Sequence, residues 1–214
     1  MRHNTSRARR RRLIMRKWNF SPGPAAIPNE VLLEVQSELL EFKDSGMSIM
    51  EMSHRTDLYS SIAFETKQDL IDILNIPDDY DVLFLQGGAT HQFSMIPMNF
   101  SKLNNTAVYI TTGTWTKRAY EEGSKIAKLD QIFTSEDKNF TYAPNFEDLK
   151  IPEDASYVHY CPNETIHGVS FNHIPLIDNP LVADMSSSIL SEPIDISKFS
   201  LIYASAQKNM DHQD

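Results

Sequence analysis

The chain has 214 residues, 41% hydrophobic and 23% charged, with eleven Phe and eight Tyr; this is enough to build a core and excludes a wholly disordered chain. A single cysteine, Cys161, excludes an internal disulfide framework and a cysteine-based zinc cluster, and the expected location is the cytoplasm. Eight of the 20 Lys and Arg fall in residues 1–17, so the rest is more acidic than the overall −9 and makes a poor nucleic-acid binder.

Residues 1–14 form a basic leader without apolar period, expected to be disordered. It reads as a nucleic-acid or localisation tail, an organelle transit peptide, or a non-native leader ahead of a start at Met15. The last reading is preferred, because Met15-Arg16-Lys17-Trp18 runs straight into patterned sequence. Ser21-Pro22-Gly23-Pro24 predicts a turn. From Pro28, Val31, Leu32, Val35, Leu39, Leu40 and Phe42 recur at helical spacing, and Ser45-Gly46 ends that helix. A second helix is expected from Leu58 to Leu74.

After the Asp78-Asp79 turn, Tyr80-Asp81-Val82-Leu83-Phe84-Leu85 reads as a buried strand, broken by Gly87-Gly88. Its apolar part is far too short to span a bilayer. A helix from Ala89 to Asn99, strained near Pro97, comes next. Ala107 to Ile110 predicts a strand, and Thr114 or Thr116 caps a helix running to about Ala127. Further short strands are expected at Tyr157–Tyr160, Leu181–Ala183 and Leu201–Tyr203. Apolar strands alternating with helices predict an α/β fold with a mainly parallel sheet and helices on both faces.

In such sheets ligands sit beyond the carboxyl ends of the strands, and the residues there include candidates for chemistry. Gly87-Gly88-Ala89-Thr90 could cradle an anion at a helix N-terminus, or be a plain tight turn. Trp115 could stack on a flat ring or pack in the core. Asp184 could pair with a protonated ring nitrogen or cap a helix begun by Ser186. Lys208 could form a Schiff base if its pKa is lowered, or be a solvated charge. Arg55, beside His54, could grip a carboxylate or sit in a surface ion pair. Cys161 reads as a small buried hydrophobe, and His159 and His167 do not make a metal site. Together, an anion cradle, a stacking Trp, an Asp and a Lys form the inventory that pyridoxal phosphate needs.

Several motifs also resemble one family. Asn19-Phe20-Ser21-Pro22-Gly23-Pro24-Ala25, Met52-Ser53-His54-Arg55, Leu83-Phe84-Leu85-Gln86-Gly87-Gly88-Ala89-Thr90, Tyr160-Cys161-Pro162-Asn163-Glu164-Thr165-Ile166-His167-Gly168, Val182-Ala183-Asp184-Met185-Ser186-Ser187 and Ala206-Gln207-Lys208-Asn209 are similar to phosphoserine aminotransferases of class V, over about Trp18 to Asn209. The resemblance implies a pyridoxal-phosphate enzyme of the aspartate-aminotransferase fold. It would move an amino group between O-phospho-L-serine and 2-oxoglutarate, giving 3-phosphohydroxypyruvate and L-glutamate in serine biosynthesis. It would also handle 4-phosphohydroxy-L-threonine in pyridoxine biosynthesis.

By motif position the resemblance implies that Lys208 is the Schiff-base lysine. Ala89, Thr90 and Gln207 would serve the cofactor phosphate, Trp115 the ring face, Thr165 the ring hydroxyl side and Asp184 the pyridine nitrogen. Arg55 and His54 would meet substrate. A homodimer with small-molecule substrates, and without nucleic-acid or membrane partners, is implied. The family continues past the lysine with Gly-Pro-Ala-Gly, whereas Met210 to Asp214 here does not. Residues 15–209 are therefore expected to be an incomplete cofactor-binding large domain lacking the small domain, with 210–214 a non-family tail. The competing reading is a catalytically inactive truncated remnant.

Overall fold

The computed structural model describes residues 16–102 and 105–210. The basic leader 1–14, the start at Met15 and residues 211–214 of the tail lie outside the described residues.

Successive strand side chains point to opposite faces of a sheet, and in β1 (Ala107–Thr111) both sets are buried. Val108 and Ile110 enter one apolar cluster, while Ala107 and Tyr109 enter the other. Such a strand belongs inside a sheet covered on both faces. It pairs in parallel with β2 (Leu129–Thr134) on one side and β3 (Val158–Tyr160) on the other. Next come β6 (Leu181–Asp184) and β7 (Leu201–Tyr203), giving a five-stranded parallel sheet in the order β2-β1-β3-β6-β7. The remaining strands, β4 (Asn163–Glu164) and β5 (Val169–Ser170), form a small antiparallel hairpin beyond β3.

One face is covered by α3 (Gly88–Phe100), through Phe93 and Ile96, and by α4 (Thr114–Gly123), through Ala119. The other is covered mainly by irregular segments and short 3-10 turns, which bring Phe146, Met185 and Phe199 onto Val108, Val158 and Leu181. The helices α1 (Asn29–Glu38) and α2 (Asp57–Leu74) precede the sheet. Thr56 caps α2 by accepting the Tyr59 N–H, and Asn75 ends it in the left-handed region. α1 ends at Glu38, short of the expected Leu39, Leu40 and Phe42, and Lys43 and Asp44 take positive φ where the chain turns beyond it. It buries none of its residues, and α2 buries only Leu74.

The expected strand at Tyr80–Leu85 is not part of the sheet. Leu83, Phe84 and Leu85 are 69, 59 and 58% exposed. The segment is tethered near both ends: Tyr80 donates through its hydroxyl to Phe199 O at 2.6 Å, and Ala89 N donates to Ser205 Oγ at 2.8 Å. Among the described residues it has no ladder partner. An apolar run records a preference for burial, not the identity of the strand that would provide it. Conversely, β2 carries Asp130 and Gln131 because it is an edge strand with a half-exposed face, which hides it from hydrophobic patterning. Pro97 is accommodated inside α3. Among the described residues no helix is long and apolar enough to cross a membrane.

Candidate active site

Because all five sheet strands are parallel, their carboxyl ends open on one edge. The segments leaving β1, β3, β6 and β7 meet the N-terminus of α3 there and line one cleft. Ala89, Thr90, Trp115, Thr165, Asp184, Gln207 and Lys208 all lie on it.

Gly87 supplies the turn into α3 with φ of +91°, a conformation open to glycine. The ring of His91 occupies the place a Gly87 side chain would need, since a Cβ there would fall 1.6 Å from His91 Nδ1. Gly87 has no side chain to cap the helix, and α3 starts at the cleft. The Ala89 amide is bonded to Ser205 Oγ. Ser205 N donates to Ser186 Oγ at 2.9 Å, and Ser186 Oγ donates to Asp184 Oδ1 at 2.6 Å. One hydrogen-bonded chain therefore links the α3 N-terminus to the carboxylate at the end of β6.

Asp184 is 5% exposed. Its Oδ1 also accepts the Ser186 N–H at 3.0 Å. Residues 186–191 form turns and no helix, so Asp184 closes a turn and does not cap a helix. Burial raises its pKa above the usual carboxylate value, against the opposing pull of the Ser186 bonds and of Lys208. Among the described residues no basic group comes within ion-pair distance of it. A buried carboxylate with hydroxyl and amide donors but no cation is one that a cationic ligand atom would complete.

Lys208 sits in a 3-10 turn just beyond β7. Its ammonium donates to Thr165 Oγ1 and lies 5.0 Å from the centre of the Trp115 ring. Burial lowers its pKa, with Asp184 the first of the charges opposing that shift. The Ser21–Pro24 turn packs on the aliphatic chain of Lys208, where a Cβ on Gly23 would meet Cγ at 2.7 Å.

His54 and Arg55 do not line the cleft. Both are exposed in the turn ahead of α2. Their expected role in meeting substrate has no contact behind it in a single chain, because the element that carries them buries almost nothing against the sheet. Cys161 is buried, its thiol donates to Asn163 O, and burial pushes its pKa well up, so it is a poor nucleophile. His159 lies inside the sheet and bonds to Tyr203 through Nε2, while His167 bonds to Thr114. Among the described residues no metal-binding cluster occurs.

Ser186 proves to be a partner of Asp184 and not the start of a helix, and Ser205 and Glu164 join the site unannounced by any local signal. The two serines are marked only by their place after strands. Glu164 is fully buried and binds the first turn of α4, a contact spanning almost fifty residues with no local signal.

A strongly parallel sheet, with lysine, carboxylate and helix N-terminus meeting at its carboxyl edge, defines the class of protein. The chain belongs to the class-V aminotransferase family, whose model matches residues 17–211. It is 50% identical over 196 residues to a phosphoserine aminotransferase of Hahella chejuensis, covering 91% of this chain and 54% of that protein. Among solved structures, phosphoserine aminotransferase from Bacillus circulans subsp. alkalophilus superposes with a TM-score of 0.87 at 45% identity, over 91% of this chain and 54% of its own. A pyridoxal-phosphate-bound phosphoserine aminotransferase from Trichomonas vaginalis gives 0.85 at 38% identity, over 91% and 55%. The chain spans about half the length of the curated relatives it matches.

Proposed function

We propose that the chain carries the cofactor-binding part of a pyridoxal-phosphate-dependent aminotransferase that acts on O-phospho-L-serine and 2-oxoglutarate. The observation that carries this reading is the convergence of Lys208, Asp184 and the α3 N-terminus on one cleft. The buried carboxylate without a cation, the positive end of α3 and the indole beside the lysine fit a cationic ring bearing a phosphate. When bound, pyridoxal phosphate supplies a carbonyl for an amine and a ring that accepts electrons.

In this reading Lys208 would hold the carbonyl, its amine made more available by a burial-lowered pKa. Once an incoming substrate amine displaced it, the freed amine could move a proton at the substrate Cα. Asp184 would hold the ring nitrogen and favour its protonated form. Ala89, Thr90 and Gln207, at the α3 terminus that favours negative charge, would hold the phosphate. Trp115 would serve the ring face, and Thr165 the hydroxyl side. The relatives' names support the choice of phosphoserine over other amino donors. A homodimer in the cytoplasm, and a second role with 4-phosphohydroxy-L-threonine, belong to the same proposal. The exposed apolar residues of α1, among them Val31, Leu33 and Val35, suit a chain that associates.

The test is absorption spectroscopy of the purified chain mixed with pyridoxal phosphate. The wild-type chain is expected to shift the visible band of the free cofactor, and Lys208→Ala to leave it at its free position. An identical spectrum from both proteins would overturn the reading.

A further inference from the structure

Glu164 is an ionisable side chain with no exposed surface. Its carboxylate is committed to the first turn of α4. Oε1 accepts from Thr116 N at 2.8 Å and from Thr116 Oγ1 at 2.6 Å, and Oε2 accepts from Trp115 N at 3.1 Å. The residue ahead of that helix, Gly113, has no side chain to cap it. A Cβ on Gly113 would fall 2.4 Å from Glu164 Cδ, so the glycine makes the space that the carboxylate fills. The cap that Ser, Thr or Asp supplies locally in most helices is delivered here from the β4–β5 hairpin. Three donors and the positive end of the helix make a buried carboxylate tolerable in that place.

This cap holds the backbone of Trp115. The indole Nε1 is buried without a hydrogen-bond partner among the described residues, so no hydrogen bond of its own fixes the ring. Its placement near Lys208 depends on the main chain that Glu164 grips, together with packing and the Arg118 guanidinium 5.7 Å from the ring centre. The next residue, Thr165, accepts from the Lys208 ammonium. Adjacent hairpin residues thus set the indole on one side and the amine on the other.

We propose that Glu164 is a positioning residue of the cofactor site: its carboxylate fixes the Trp115 backbone so that the indole forms the stacking surface beside Lys208. This rests on the reading of the cleft as a pyridoxal-phosphate site.

The test uses the full chain with Glu164→Ala, Glu164→Gln, Trp115→Ala and the Glu164→Ala/Trp115→Ala double variant. Hydrogen exchange without cofactor reports the grip directly. Glu164→Ala is expected to speed exchange at the Trp115 and Thr116 amides at least tenfold and to leave the β1 and β3 amides unchanged. Glu164→Gln, which keeps an acceptor oxygen, should fall between. Pyridoxal phosphate affinity and the circular dichroism of the bound cofactor report the consequence. Both should drop about tenfold in Glu164→Ala, less in Glu164→Gln, and no further when Glu164→Ala is added to Trp115→Ala, because the two act through one ring. Additive losses in the double variant would make Glu164 a general fold residue and overturn the proposal. So would unchanged exchange and affinity in Glu164→Ala or, if that variant does not fold, in Glu164→Gln. Failure of the wild-type chain to bind pyridoxal phosphate would overturn the functional reading, and the proposal with it, while the exchange data would still show separately whether Glu164 holds Trp115.

Discussion

Asp184 is held in an environment that disfavours its charge, and that cost has a measurable sign. Its folded pKa lies above the unfolded value, chiefly through burial. Between those two values the folded chain binds a proton that the unfolded chain has lost, so stability of the cofactor-free protein falls as pH rises through that window. Asp184→Asn removes this titration. Chemical denaturation without cofactor should show the variant equal to or more stable than wild type at neutral pH, with a flatter profile in the acid range. Titration with pyridoxal phosphate should show the opposite preference. Losing a hydrogen bond to a charged group costs about 1.5–3 kcal/mol, or about 10- to 160-fold in affinity. A variant that binds the cofactor as tightly as wild type would remove Asp184 from the ring nitrogen. At this scale the sequence exposed the strand-end residues Asp184 and Lys208 but not their settings: the Ser186 bonds to Asp184 are local, whereas the Thr165 bond to Lys208 depends on tertiary packing.

Strand β3 places His159 where its imidazole stacks on Tyr109, ring centres 4.6 Å apart, and bonds to Tyr203 through Nε2 at 2.8 Å. Burial pushes its pKa down to about 3. Between the unfolded value and that one, only the unfolded chain takes up the proton, so stability is full above the unfolded pKa and is lost as pH falls toward 3. His159→Phe keeps a flat ring against Tyr109 and removes the titration. Its equilibrium unfolding should be about 1–3 kcal/mol easier at pH 8, because the Tyr203 hydroxyl loses its bond to the imidazole. Its stability should also fall less steeply from pH 6.5 to 3. A variant with the wild-type acid limb would show that other groups cause it. Most of these elements were readable in the chain. The buried strands β1, β3, β6 and β7 are short apolar runs, and α2 follows the helical spacing expected from Leu58 to Leu74. Strand partners are not legible in a local run: β2 is a polar edge strand, and Leu83-Phe84-Leu85 is apolar but has no ladder partner among the described residues. The hairpin β4–β5 is too short to carry a periodic signal.

Across the whole molecule the cleft is a junction of distant segments. Ala89 and Ser205 are 116 positions apart, Trp115 and Glu164 are 49 apart, and Thr165 and Lys208 are 43 apart. A ligand that touches all of them ties the sheet, α3, α4 and the β4–β5 hairpin into one unit. At a free concentration 100 times its dissociation constant, such a ligand adds about 2.7 kcal/mol to the folded state. Differential scanning calorimetry should therefore show the melting temperature rising with pyridoxal phosphate concentration, and inorganic phosphate alone giving a smaller rise. Equal shifts from both would mean that only the helix terminus is engaged. The central claim, that this junction is built around a lysine that takes the cofactor carbonyl, is tested most directly by reducing the chain with borohydride in the presence of pyridoxal phosphate and mapping the modified peptide. The pyridoxyl group should be found on Lys208; a label on Lys102 or Lys125, with Lys208 unmodified, would contradict the account.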